Sequence, residues 1–162
     1  MAVKKNESST SLEAKKSIDA RIKDCPQCKP GPEYYRMLFD QYKFDVDLAR
    51  EIVSDGREVM ELEKEDVEHA LKWAHIYRPH LAHVDTRYPG IIAHYWYKDQ
   101  NGEILHGHVL IDGHHRAAKV FEANQNFYVQ VLSEEESKRV TMRSPMMDPQ
   151  KSGCNSSTQG VR

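Results

Sequence analysis

The chain has 162 residues, 39% hydrophobic and 30% charged, which suits one globular domain with extensions and excludes two full domains. Its formal net charge of -2, with a pI near 6.5, excludes the basic excess of a generic nucleic-acid binder, and three cysteines, an odd number, do not suggest a disulfide framework. No apolar run approaches bilayer length, and the polar start MAVKKNESSTSLEAKK has no secretory apolar core, so the expectation is a soluble, cytoplasmic protein with reduced thiols and no membrane partner.

In chain order, residues 1–32 read as a flexible N-terminal arm and linker. The first part is rich in Ser, Lys and Glu, with a weak helix pattern in SLEAKKSIDARIKD, and the prolines of CPQCKPGP break any helix. Residues 33–57 read as a helical addition of two short helices, because Tyr34, Met37, Leu38 and Tyr42, then Leu48, Ala49, Ile52 and Val53, recur at spacings of three and four. Residues 58–143 read as the main domain. It opens on the strand EVMEL (58–62), followed by a helix with Val67, Ala70, Leu71 and Ala74 on one stripe, a cap at Asp66 and an end imposed by Pro79.

Two β-type runs follow, IIAHYWY (91–97) and ILHGHVLI (104–111), joined through Asn101-Gly102, a dipeptide suited to the positive φ angles of a type I′ hairpin turn. A helix is expected over HHRAAKVFEA, a strand over FYVQVL (127–132), and a closing helix after Ser133, which has capping-box spacing to Glu136. Residues 144–162 read as a disordered tail. The expected fold class is α+β, a small mixed sheet with helices.

The stretch LIDGHHRAAK places His114, His115 and Arg116 in the first turn of a helix, where free N–H groups and the macrodipole disfavour cations and attract anions. A phosphate bound there would reverse the cost, with the N–H groups, Arg116 and a histidine converging on it. Gly113 lets the backbone take positive φ and a ligand approach closely. Asp112 has two candidate roles, capping the helix or holding a divalent cation that bridges phosphate oxygens. The plainer alternative is a capped turn with its cationic side chains fanned into solvent, and the residues alone leave both open.

This strand-turn-helix signature resembles that of the ParB/sulfiredoxin superfamily, and its DGHHR form is most similar to ParB-like free-serine-kinase members. The resemblance covers about 58–140 and includes EVMELEKEDVEHAL, RYPGIIAHYWY and FYVQVL. It implies a ParB/sulfiredoxin-like fold that binds nucleotide phosphates at Asp112, Gly113, His114, His115 and Arg116. A histidine at 114, where sulfiredoxins carry their catalytic cysteine, excludes sulfinic acid reduction in the known way. Too few residues follow the matched core for the DNA-binding and dimerisation domains of chromosome-partitioning ParB proteins.

The kinase branch implies phosphoryl transfer from a nucleotide, ATP, ADP or CTP, with Mg²⁺ at Asp112, to a small hydroxyl-bearing substrate. The resemblance suggests a general base in the acidic segment, Glu68 first, then Asp66 and Glu65; a solvated acidic helix start explains the same residues. The alternatives are a non-enzymatic CTP- or ATP-binding or DNA-associated module and, as a third use of the fold, a ParB-like nuclease, with DNA disfavoured by the charge balance.

Two further constellations have metal-ligand spacing. Cys25 and Cys28 form a C-x-x-C pair whose most ligand-like partners are His80 and His83, far along the chain, so an unliganded linker pair is the favoured reading over a structural zinc. His106 and His108 share one strand face with Asp112 if the strand runs straight, but a two-residue turn at Asn101-Gly102 would set them opposite Tyr97 and Tyr95, and a half-exposed polar face is favoured over a metal.

Overall fold

The structure, a computed structural model, describes residues 25–28 and 30–146. The expected N-terminal arm before Cys25 and the tail beyond Met146 lie outside the described residues. The elements are β1 (Tyr34–Met37), β2 (Tyr42–Asp45), α1 (Val46–Val53), β3 (Met60–Leu62), α2 (Lys64–Lys72), β4 (Gly90–Lys98), β5 (Ile104–Asp112), α3 (His114–Glu122), β6 (Phe127–Val131), α4 (Glu134–Val140) and β7 (Thr141–Arg143), with short 3-10 segments at Pro26–Cys28 and Arg78–His83. The class is α+β, as expected.

The main sheet has the order β3-β6-β4-β5. Its only parallel pair among the described residues is β4 with β6, while β3–β6 and β4–β5 run antiparallel. Because side chains alternate along a strand, the sheet buries both faces. Ile91, Ala93 and Ile111 pack with Tyr42, Phe44, Ala49, Val53, Leu132 and Val140 on one side, while Leu110, Phe127 and Val129 pack with Val67, Ala117 and Val120 on the other.

The expected pair of helices before residue 57 is corrected. Only α1 forms, capped by Asp45, whose carboxylate accepts from the Leu48 N–H at 3.0 Å. The preceding segment is a hairpin, β1 against β2, with β7 added beyond it. The deciding pattern is the alternation in YKFD, where Tyr42 and Phe44 are buried and Lys43 and Asp45 less so. The hairpin and α1 supply Tyr42, Phe44, Ala49 and Val53 to one core cluster, so this segment packs as part of the domain's core.

Other boundaries shift. Asp66 lies in the first turn of α2 and does not cap it; the N-cap is Glu63, which makes no side-chain cap bond. The helix ends at Trp73, and Pro79 instead opens the 3-10 segment Arg78–His83. The capping box of Ser133 and Glu136 is present with both of its hydrogen bonds.

The hairpin between β4 and β5 forms where expected, but not with a type I′ turn. Gly102 takes positive φ (79°) and Asn101 does not, while the Asp99 N–H donates to the Glu103 carbonyl at 2.9 Å. This is a three-residue loop closed by a left-handed glycine. Asp99 Oδ1 stabilises it by accepting from the N–H groups of Asn101 and Glu103. The register is therefore one residue away from that of a two-residue turn: His108 faces His94 and His106 faces Trp96.

Candidate functional site

β5 runs into α3 through Gly113, whose φ of 104° is open to glycine and strained for other residues. The turn is also tightly packed. A Cβ at Gly113 would stand 3.0 Å from the Gly90 Cα, and one at Gly90 would stand 2.7 Å from the Phe127 ring and 2.9 Å from the Asp112 carbonyl. Glycine at the start of β4 thus lets the end of β5 turn closely over it. The Ala117 N–H closes the first helical bond to the Gly113 carbonyl at 2.8 Å, and no side chain caps the helix.

Asp112 does not act as that cap. Its oxygens accept from Arg50 Nε (3.0 Å) and Nη2 (2.9 Å), and Oδ2 also from Arg116 Nη2 (3.2 Å). Burial raises its carboxyl, but the Arg50 hydrogen bonds and the Arg116 charge outweigh this and hold it below the usual carboxylate value. With three guanidinium N–H groups on its two oxygens, Asp112 keeps one acceptor position, on Oδ1, and a divalent cation there would stand against the charges of Arg50 and Arg116.

Arg50 is shared. Nη1 and Nη2 donate to both oxygens of the exposed Glu33 at 3.0 and 2.9 Å, so Glu33, Arg50, Asp112 and Arg116 form one chain of ion pairs. The hydrogen bond to Asp112 does most to raise the guanidinium's pKa above its ordinary value. Arg116 Nη2 also donates to the Pro89 carbonyl at 3.2 Å, and its Nε is buried without a partner.

The two histidines do not extend this cationic cluster. The His114 ring stacks on Tyr35 (centroids 5.0 Å apart), and burial pushes its pKa down to about 4. His115 Nε2 accepts from the Tyr77 N–H at 3.1 Å, and burial lowers its pKa too, assisted by His75. Both imidazoles are neutral at pH 7, which removes most of the expected conflict with the helix dipole. Accepting at Nε2 places the His115 proton on Nδ1.

None of the acidic candidates makes a hydrogen bond or ion pair with the turn among the described residues. Glu65, Asp66 and Glu68 are exposed on α2. Lys64 Nζ donates to Asn124 Oδ1 at 2.7 Å, which sets the start of α2 beside the far end of α3, whose last residue Glu122 is roughly 14 Å of helix from Gly113. Glu33 is joined to the turn through Arg50, whose Nη1 also lies 3.6 Å from Asp47.

One histidine constellation is regrouped and the other assembles with the four members the sequence suggested. His106 and His108 meet His94 across the hairpin, with ring centroids 4.5–5.0 Å apart, while Asp112 lies with the arginines. Cys25, Cys28, His80 and His83 converge, their ligand atoms all within 4.8 Å of one another. The linker reading of Cys25 and Cys28 is therefore corrected: Cys25 is buried and both thiols touch His80.

Sequence reasoning missed Arg50, Glu33, Tyr35 and Tyr77. Arg50 is an ordinary polar-face residue of α1 until the fold places Asp112 beside it, and only the alternation in the hairpin could have pointed to Tyr35. No family model matches this chain, and neither a curated protein nor a solved structure does.

Proposed function

We propose that the domain binds the phosphate groups of a nucleotide, ATP, ADP or CTP, at the turn Asp112–Arg116. The observation that carries this reading is the first turn of α3, which has no side-chain cap and starts beside two guanidiniums aligned by Asp112. Backbone N–H groups there favour an anion, and His115 can add a donor from Nδ1. Arg50 would exchange its exposed partner Glu33 for a phosphate oxygen. The ParB/sulfiredoxin-like resemblance of DGHHR supports the same reading.

Phosphoryl transfer to a small hydroxyl-bearing substrate is the further step this site would serve. It needs a general base at the turn; Glu33, linked to the turn through Arg50, joins Glu68 and Asp66 as a candidate. Mg²⁺ would arrive bound to the nucleotide, since Asp112 is held by arginines.

The test is thermal denaturation with ATP, ADP and CTP, with and without Mg²⁺, on the wild type and on Arg116→Ala. Ligand at 100 times its Kd adds about 2.7 kcal/mol, a readily measured shift. Stabilisation of the wild type and its loss in Arg116→Ala is the expected result; no response, or an equal response in the variant, overturns the reading.

A further inference from the structure

The prolines of CPQCKPGP and of RPHLAH shape two short 3-10 turns, Pro26–Cys28 and Arg78–His83. In a 3-10 helix residues i and i+3 eclipse, so His80 and His83 leave their segment on one side. Cys25 and Cys28 are paired in the same way by the Cys28 N–H to Cys25 carbonyl bond of 3.1 Å. The fold turns these two pairs toward each other across 52 residues of chain, measured from Cys28 to His80.

Three sulfur-to-nitrogen distances describe the cluster: Cys25 Sγ to His80 Nδ1 is 3.5 Å, Cys28 Sγ to His80 Nδ1 is 3.2 Å, and Cys28 Sγ to His83 Nδ1 is 3.3 Å. Around a tetrahedral zinc with ordinary Zn–S and Zn–N bonds, sulfur and nitrogen ligands lie about 3.5 Å apart. Hydrogen bonding alone accounts for the arrangement less well. His80 Nδ1 offers one in-plane direction, a hydrogen or a lone pair, yet it faces two sulfurs. A central cation satisfies both at once, and with two thiolates a divalent ion leaves the site neutral, as suits the buried Cys25.

We propose that Cys25, Cys28, His80 and His83 form a closed structural zinc site. With four protein ligands it leaves no open position for catalysis. It staples the segment before β1 to the Arg78–His83 turn. That turn adjoins the candidate site, since the His80 ring stands edge-on to His115 at 4.8 Å and Tyr77 donates to His115. The assignment does not depend on what the Asp112–Arg116 turn binds.

The full chain, purified without chelator, should hold about one zinc per chain by elemental analysis. Replacement by Co²⁺ should give the visible bands of a tetrahedral ion together with a near-ultraviolet thiolate-to-cobalt band. Cys28→Ser should lose the metal, while Cys154→Ser and His106→Ala keep it; these two controls separate the site from the third thiol and from the exposed histidine cluster. The wild-type cobalt spectrum stands even if Cys28→Ser fails to fold. A zinc-free wild type, a cobalt spectrum with no thiolate band, or metal lost in His106→Ala and kept in Cys28→Ser overturns the proposal.

Discussion

Arg50 lays two nitrogens on the Asp112 carboxylate, Nε at 3.0 Å and Nη2 at 2.9 Å, from a helix 62 residues earlier in the chain. This pair joins the hairpin-and-α1 side of the domain to the end of β5. Asp112 is only 10% exposed and Arg50 39%, so the pair stands between a surface ion pair and a buried one. Arg50→Ala should destabilise the domain by about 1–3 kcal/mol, read from the urea midpoint. An unchanged midpoint would show that Arg116 alone suffices to hold Asp112.

The lowered pKa of Asp112 also sets a pH dependence. A carboxyl depressed in the folded state contributes stability that is present above its unfolded pKa, about 4, and is lost as pH falls through the lower folded value. Asp112→Asn should remove this acid-limb contribution, so urea titrations from pH 5 to pH 2 should show a shallower loss of stability than in the wild type.

The His114 pKa, pushed down to about 4 by burial, acts in a different window. Between its ordinary value near 6.5 and about 4 the unfolded chain binds the proton and the folded one does not, so stability falls as pH drops through this range. Burial lowers His94 and His115 in the same direction. NMR titration should find the His114 ring neutral down to about pH 4, and His114→Gln should flatten the stability profile from pH 6.5 to 4. A His114 midpoint near 6.5 would contradict its burial against Tyr35.

Gly90 and Gly113 should respond differently to alanine. At Gly113 the positive φ alone costs about 1–2 kcal/mol, and the new Cβ presses on the Arg116 guanidinium as well as on the Gly90 Cα. At Gly90 the Cβ meets the Phe127 ring and a backbone carbonyl under 3.0 Å, an overpacking cost of about 1–3 kcal/mol. Both variants should lower the melting temperature. The Gly113→Ala variant should additionally weaken any nucleotide response, because the first turn of α3 starts there.

Arg57 bridges α1 and α4. It donates to the Val131 and Ile52 carbonyls and to both Glu136 oxygens, at 2.7 and 2.8 Å. The Arg57 hydrogen bonds take the Glu136 carboxyl down to about 2. The stability it contributes is present above about pH 4.5 and is lost as pH falls toward 2. Glu136→Gln should cost stability at pH 7 and cost little at pH 2, and equal losses at both pH values would contradict the pairing.

By itself the sequence determined the features that depend on neighbouring residues. The Ser133–Glu136 capping box, the β4–β5 hairpin, the helix after Gly113 and the α+β class follow from capping chemistry, alternation and turn residues acting within a few positions. It misread the hairpin before α1, because four-residue strands carry too little period to outweigh accidental helical spacing at Tyr34, Met37 and Leu38. The β4–β5 loop shows how narrow that margin is: one residue in the turn decides whether His108 faces a tyrosine or His94. Only the tertiary structure decided the electrostatics of the DGHHR turn, since beside the local Arg116 the partners of Asp112 and His114 are Arg50 and Tyr35, on elements with no local link to it. The convergence of Cys25 and Cys28 on His80 and His83 belongs to the same class. Ligand spacing is local and legible, but bringing two half-sites together requires the fold of the 52 residues of chain that separate Cys28 from His80.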